Sequence, residues 1–222
     1  MDRSVLLVLA GGQGRRMGGA DKPLRHLHGK PLLAHVLDRL GQPRATTVLS
    51  VNAERDRYSV FGAALLPDTV AGWPGPLAGI LAGLEWLERR HPEADLLVVP
   101  ADTPFLPTDL LARLRAARAL QNAALTCAGS GGRLHPVASL WRVSHAAMVR
   151  HALASDERRL GRVMQAVGLG VAEFGVDPVD PFFNVNTPED LAWAEALPQA
   201  RTARPEALPL DSAKGQPLES FP

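Results

Sequence analysis

Short, almost wholly apolar runs alternate in this chain with longer stretches whose apolar residues recur every three or four positions. Residues 5–10 (VLLVLA) are apolar on both alternating sets of positions and end in glycines, which predicts a buried strand of a parallel sheet covered on both faces. Residues 31–40 begin with a proline suited to a first helical turn. They place Leu32, Leu33, Val36, Leu37 and Leu40 on one face and stop at Gly41, the pattern of a crossover helix. Residues 46–52 (TTVLSVN) and 95–102 (DLLVVPAD) read as further strands, with a helix over 76–90 between them and another over 108–120. Alternation of this kind predicts an α/β fold, a Rossmann-like, doubly wound and mostly parallel sheet in three α/β/α layers. Such sheets bind ligands in the crevice at the carboxyl ends of their strands.

Beyond residue 120 the periodicity loosens. AALTCA (123–128), the turn GSGG and LHPVASLW (134–141) predict strands that pair partly antiparallel, followed by helices over 144–153 and 159–167. VAEFGV (171–176) and FFNVN (182–186) read as further strand or edge segments, and 188–197 as the last helix. Residues 198–222 are proline-rich and polar, with too few clustered apolar side chains to offset the entropy of ordering them. A single domain over 1–197 with a mobile tail over 198–222 is the expected organisation.

Composition sharpens this picture in three ways. A chain of 222 residues, 46% hydrophobic, can bury one sizeable core. The formal charge of +1, with mixed signs throughout, argues against a protein built to neutralise nucleic-acid phosphates, so any cationic chemistry must be local. One cysteine, Cys127, excludes an internal disulfide and a multi-thiolate zinc site; its apolar surroundings suit a core position, and a reducing cytoplasm fits. The apolar opening is too short for a signal peptide and no later run is long enough for a bilayer, so a soluble protein with no membrane partner is expected.

Candidate chemistry begins with LAGGQGRRMGGADK (9–22), which carries five glycines, two arginines and a lysine. A glycine loop leaving a parallel strand can wrap backbone N–H groups around phosphate oxygens, with Arg15, Arg16 and Lys22 adding charge; a surface turn is the plain alternative. It is neither of two familiar phosphate loops. A dinucleotide fingerprint from Gly12 and Gly14 would need glycine where Met17 stands, and a P-loop from Gly14 reaches Gly19 but then meets Ala20. In ADTPFLP, Asp102 stands just past a buried strand, where one carboxylate suffices for magnesium that keeps water and substrate phosphates in its shell; capping the next helix is the alternative, although Thr108 and Asp109 are better placed for that. Thr187, Pro188, Glu189 and Asp190 read as a helix start. Asn184 and Asn186, one residue apart, would face the same side if extended.

Together these stretches resemble a known family. LAGG, a variable glycine, RMG and a following lysine are similar to the signature loop of nucleotidyltransferases that join a nucleoside monophosphate to a phosphorylated acceptor. WPGPLAGI (73–80), VPADTPFLP and DPFFNVNTPEDL (180–191) resemble the molybdenum cofactor guanylyltransferases (MobA), with Ala101 where that family usually has cysteine. The resemblance runs in order from about residue 9 to 197.

It implies a fold of the nucleotide-diphospho-sugar transferase type and transfer of GMP from GTP to Mo-molybdopterin, with Mg2+ as cofactor, in the cytoplasm. It further implies that Leu9, Ala10, Gly11 and Gly12 meet the nucleotide through the backbone and that Arg16 and Lys22 hold the triphosphate. Asn52 and Asp68 would read guanine, and Gly79 would border the crevice. Asp102 would hold the metal, with Arg16, Lys22 and Asp102 the catalytic set, while Asn184 and Asn186 would meet the pterin acceptor. Read alone, Asn52 and Asp68 are turn residues, and the turn at Pro76 and Gly79 opens a helix. RLHPV, with Arg133 and His135, also resembles a family segment, and His135 is equally readable as a packed histidine. Transient contact with molybdenum cofactor biosynthesis proteins or apo-molybdoenzyme chaperones would accompany this role. A CTP-using relative, or a non-catalytic carrier of the finished cofactor, are the alternatives.

Overall fold

A computed structural model describes residues 3–11, 22–52, 54–67 and 75–198. Its centre is a seven-stranded sheet built from β1 (Ser4–Leu9), β4 (Thr47–Ser50), β5 (Ala64–Leu66), β6 (Asp95–Pro100), β7 (Leu125–Ser130), β8 (Arg133–Arg142) and β9 (Leu169–Phe174), in the order β5-β4-β1-β6-β8-β7-β9. All neighbouring pairs are parallel except those made by β8, which runs antiparallel to both β6 and β7. A two-stranded hairpin, β2 (His26–Leu27) with β3 (Lys30–Pro31), lies outside this sheet.

The unbroken apolar runs are explained by two cores, one on each face. Leu6 and Val8 of β1, with Leu97 and Val99 of β6, pack against α1 (Leu32–Leu40) and α3 (Leu110–Leu120). Their neighbours Val5 and Leu7, with Leu96 and Val98, pack against α2 (Pro76–Arg90), α4 (Ala146–Ala154) and α5 (Leu160–Gln165). Side chains alternate across a strand, so a strand covered on both faces has no position left for a polar residue. The layers are therefore helix, sheet, helix. A smaller cluster of Leu27, Leu32, Phe105, Val185 and Ala194 joins the hairpin to α6 (Pro188–Glu195).

Helix boundaries follow local chemistry. Gly41 takes a left-handed conformation at the end of α1 and returns its N–H to Leu37, while Pro31 sits just before the helix. Pro76 opens α2. Thr187 caps α6, its hydroxyl accepting from the Asp190 N–H at 3.1 Å while the Asp190 carboxylate accepts from the Thr187 N–H at 2.9 Å, the capping-box arrangement.

The structure departs from the sequence reading in several places. FFNVN is not a strand: residues 182–186 are irregular, with Phe182 N–H donating to the Asp180 carboxylate at 2.9 Å and Phe183 N–H to the Asp180 carbonyl at 3.1 Å, a local turn that takes the donors a ladder would need. The edge strand β5, of three residues, and the hairpin strands β2 and β3, of two each, are too short to show a period. Helix α3 starts at Leu110, two residues later than the pattern suggested. The expected tail lies outside the described residues beyond position 198.

Candidate active site

Four chain segments end at one edge of the sheet, where the parallel strands finish. Strand β1, held between β4 and β6, delivers Leu9, Ala10 and Gly11. Ala10 N–H donates to the Ser50 carbonyl at 3.0 Å, and the Leu9 carbonyl accepts from Ala101 N–H at 3.1 Å. Asn52 lies just past β4, and a Cβ on Gly11 would come within 3.0 Å of the Asn52 amide nitrogen, so glycine there lets the two chain ends approach. Gly79 is buried in α2, where a side chain would strike Leu9 and the Ser50 hydroxyl at under 3 Å. Its role is to seat the amino-terminal turn of α2 close against the ends of β1 and β4.

Lys22 and Asp102 meet, though eighty positions apart in sequence. The Lys22 ammonium donates to the Asp102 carboxylate and to the Asn186 side-chain oxygen, and both ends of the ion pair are mostly buried. Asp102 caps no helix, because α3 begins at Leu110 with Asp109 before it. Its carboxylate instead sits at the crevice, and its carbonyl accepts from Val185 N–H at 2.9 Å. That backbone bond brings 182–186 alongside β6. The buried Thr103 hydroxyl donates to the Asn184 side-chain oxygen at 2.7 Å, and Asn186 N–H donates to Asp190 at 2.8 Å. Asn184 and Asn186 thus reach the same place as Lys22 and Asp102, through turn geometry rather than strand alternation.

Sequence reasoning singled out neither Thr103 nor Asp180, although both lie in quoted motifs. Their value comes from partners that are remote in the chain. Asp180 accepts from the Ser130 hydroxyl at 2.8 Å as well as from Phe182 N–H, and His135 Nε2 lies 2.7 Å from the same hydroxyl. With that hydroxyl donating to Asp180, its oxygen is the acceptor for His135, which therefore carries its proton on Nε2. The His135 ring stacks on Phe182 with centroids 4.5 Å apart. Burial, the largest influence, lowers the His135 pKa; Asp180 opposes that and Arg133 adds to it. Cys127 is fully buried, its thiol pushed by burial from 9.0 to about 11, as suits a core residue and not a nucleophile. Gly12, Arg15, Arg16 and Asp68 lie outside the described residues.

Among the described residues no helix is long and apolar enough to cross a membrane, and no group of three or more His, Cys, Asp or Glu is placed to hold a metal. What the crevice offers is a single carboxylate with two amide oxygens and an ammonium beside it, a set of hard oxygen donors next to a positive charge.

The MobA-like NTP transferase domain family matches residues 6–170. A molybdenum cofactor guanylyltransferase of Rhodopseudomonas palustris (strain BisB5) is 47% identical over 193 residues, covering 86% of this chain and 92% of its own. Among solved structures, molybdopterin-guanine dinucleotide biosynthesis protein A of Archaeoglobus fulgidus superposes with a TM-score of 0.66 at 24% identity, covering 86% of this chain and 96% of its own. The 4-diphosphocytidyl-2C-methyl-D-erythritol synthase of Anaerococcus prevotii gives 0.66 at 12% identity, covering 88% and 95%. The last two likenesses speak for the fold alone. A parallel sheet whose strand ends gather Gly11, a lysine and an aspartate, together with a match across most of the sequence, places this chain in the MobA-like NTP transferase family, as a nucleotidyltransferase.

Proposed function

We propose that this nucleotidyltransferase transfers GMP from GTP to molybdopterin bearing molybdenum, forming the guanine dinucleotide cofactor and pyrophosphate. The observation that carries the reading is the meeting of Lys22, Asp102 and Asn186 at the carboxyl ends of the strands, with Asn184 held beside them by Thr103. The similarity to relatives named molybdenum cofactor guanylyltransferase supports the choice of substrates.

In this reading the acceptor's phosphate oxygen attacks the α-phosphorus of GTP. A phosphorus–oxygen bond forms to the acceptor, the bond to the β-phosphate bridging oxygen breaks, and its electron pair leaves with pyrophosphate. A phosphate monoester is already anionic near neutral pH, so no Ser, Cys or His nucleophile is needed. The protein's work is alignment and charge neutralisation.

Lys22 and Arg16 hold the triphosphate and follow the charge onto the leaving pyrophosphate. The backbone of residues 9–12 meets the nucleotide, through groups other than the Ala10 N–H that the Ser50 carbonyl already takes, with Asn52 and Asp68 accepting from the guanine N–H edge. Unmet donors on a wrong base cost roughly 1–3 kcal/mol each. Asn184 and Asn186 bind the pterin, whose heteroatoms offer both donors and acceptors to an amide. Asp102 would hold magnesium, which would supply Lewis-acid polarisation of phosphoryl oxygens. One carboxylate is enough for it, since magnesium keeps water and substrate phosphates as its other ligands. The reaction belongs in the cytoplasm, with transient hand-over to molybdenum cofactor biosynthesis proteins or apo-molybdoenzyme chaperones.

The test is a nucleotide panel with purified molybdopterin, scored by pyrophosphate release. GTP should support turnover; turnover with CTP and not GTP would overturn the assignment in favour of a cytidylyltransferase.

A further inference from the structure

The opposite pole of the sheet, where the parallel strands begin, carries a second concentration of charge that the transfer reaction does not use. Asp95 opens β6, seven residues of nearly extended chain before Asp102, about 20 Å away at roughly 3.3 Å per residue. Its side chain faces α3, as Leu97 and Val99 do. Arg118 grips both carboxylate oxygens, at 2.7 and 2.9 Å, and Arg115 Nε adds a third bond at 3.2 Å while its terminal nitrogen donates to the Arg3 carbonyl at 3.3 Å. Beside these arginines lies a cavity of about 300 Å³ lined by Arg115, Arg118, Asn122 and Arg142.

Arg115 and Arg118 have a structural explanation: they tie α3 to the central strand, and Arg118 complements the carbonyl end of that helix. Arg142 has none of this. It stands on β8 directly across from Asp95 and therefore on the same face of the sheet, yet it pairs with none of the described carboxylates, and Asp95 is already occupied by the other two guanidinium groups. The cavity walls thus carry three guanidinium groups, two of which share the single carboxylate of Asp95, and the cluster keeps an excess of positive charge. Such an excess draws an anion to the cavity. The buried His145, on the short helical turn after β8, registers the same field. Its pKa is lowered, first by burial and then by Arg142 and Arg118.

We propose that this cavity, lined by Arg115, Arg118 and Arg142, binds a small phosphate-bearing anion at a site separate from the transfer crevice. A guanidinium fork matches phosphate oxygens in pairs, which Arg142 can offer, while Arg115 and Arg118, held in place by Asp95, add charge beside it at little cost in side-chain freedom. A cavity of this size accepts more than a single phosphate group. The inference stands whatever nucleotide the crevice prefers.

Pyrophosphate and inorganic phosphate, titrated separately by calorimetry into the Lys22→Ala protein, test it, because that change weakens phosphate binding in the crevice. Pyrophosphate should bind at low salt, more tightly than phosphate, and weaken as ionic strength rises. Arg142→Ala in the same background should weaken it at least tenfold with an unchanged circular dichroism spectrum. Arg142→Ala alone should leave turnover as it was. No pyrophosphate binding to the Lys22→Ala protein would overturn the proposal, and so would equal binding after Arg142→Ala.

Discussion

Two aspartates mark the two ends of β6, and their surroundings differ in kind. Asp95 lies on the strand itself and is clamped by two arginines, one of them bidentate, from a helix packed across the same face. Asp102 lies on irregular backbone past the strand and meets one lysine, itself shared with an amide oxygen. A planar fork closed on a carboxylate is a rigid joint, whereas an ammonium on a flexible stem is a point charge that can exchange partners. The first arrangement suits holding a fold together. The second suits a position where phosphate must be received and pyrophosphate released.

Replacing each aspartate separates these roles. Asp102→Ala should abolish GMP transfer, a loss of at least a hundredfold, on the order of 3 kcal/mol or more of transition-state stabilisation, while the fold survives. Pyrophosphate release and a thermal melt measure the two halves, and undiminished turnover would remove the metal role. Asp95→Ala should do the reverse. It leaves two largely buried guanidinium groups facing each other, costing about 3 kcal/mol in a denaturant titration, with kcat of the folded fraction retained. Equal effects of the two changes on activity would erase the contrast.

Finer changes sharpen it. Asn184→Ala combined with Asn186→Ala should raise the acceptor KM about tenfold or more, the worth of one or two hydrogen bonds at ~1 kcal/mol each, and change GTP binding much less; equal losses would count against their placement. Lys22→Arg keeps the charge but lets a fork close on Asp102 as Arg118 does on Asp95. Turnover should fall several-fold, and full activity would show that the lysine's mobility is immaterial. The smallest effect lies in the core between the two ends. The Cys127 thiol is held at about 11 against an ordinary 9.0, so the unfolded chain gives up this proton first and stability drops as pH climbs through that interval. Urea midpoints at pH 8 and pH 11 should differ less in Cys127→Ala than in the parent protein, and identical differences would dismiss the buried thiol.

Each kind of signal reached as far as its physics is local. The apolar runs 5–10 and 95–102 declared themselves as central strands because both faces are covered, and Thr187 with Asp190 announced the start of α6 because a capping box closes within four residues. The strand β5 and the hairpin at 26–31 stayed hidden, since two or three partly exposed residues establish no period. At the candidate site, Asp102, Lys22, Asn184 and Asn186 were legible as residue types in motifs. Thr103 and Asp180 were not, because a hydroxyl or a carboxylate that orients another side chain leaves no mark until its partner is known.

What the sequence determined by itself was the alternation of strands and helices, the family and the identity of the charged and amide groups, all carried by neighbours within a few positions of one another. Only the tertiary structure decided that residues 182–186 turn instead of pairing, that Lys22 reaches Asp102 and Asn186, and that Arg142 is drawn beside a carboxylate already taken. Those contacts join residues dozens of positions apart, and a contact at that separation is set by how strands are ordered and helices packed, which no local pattern encodes.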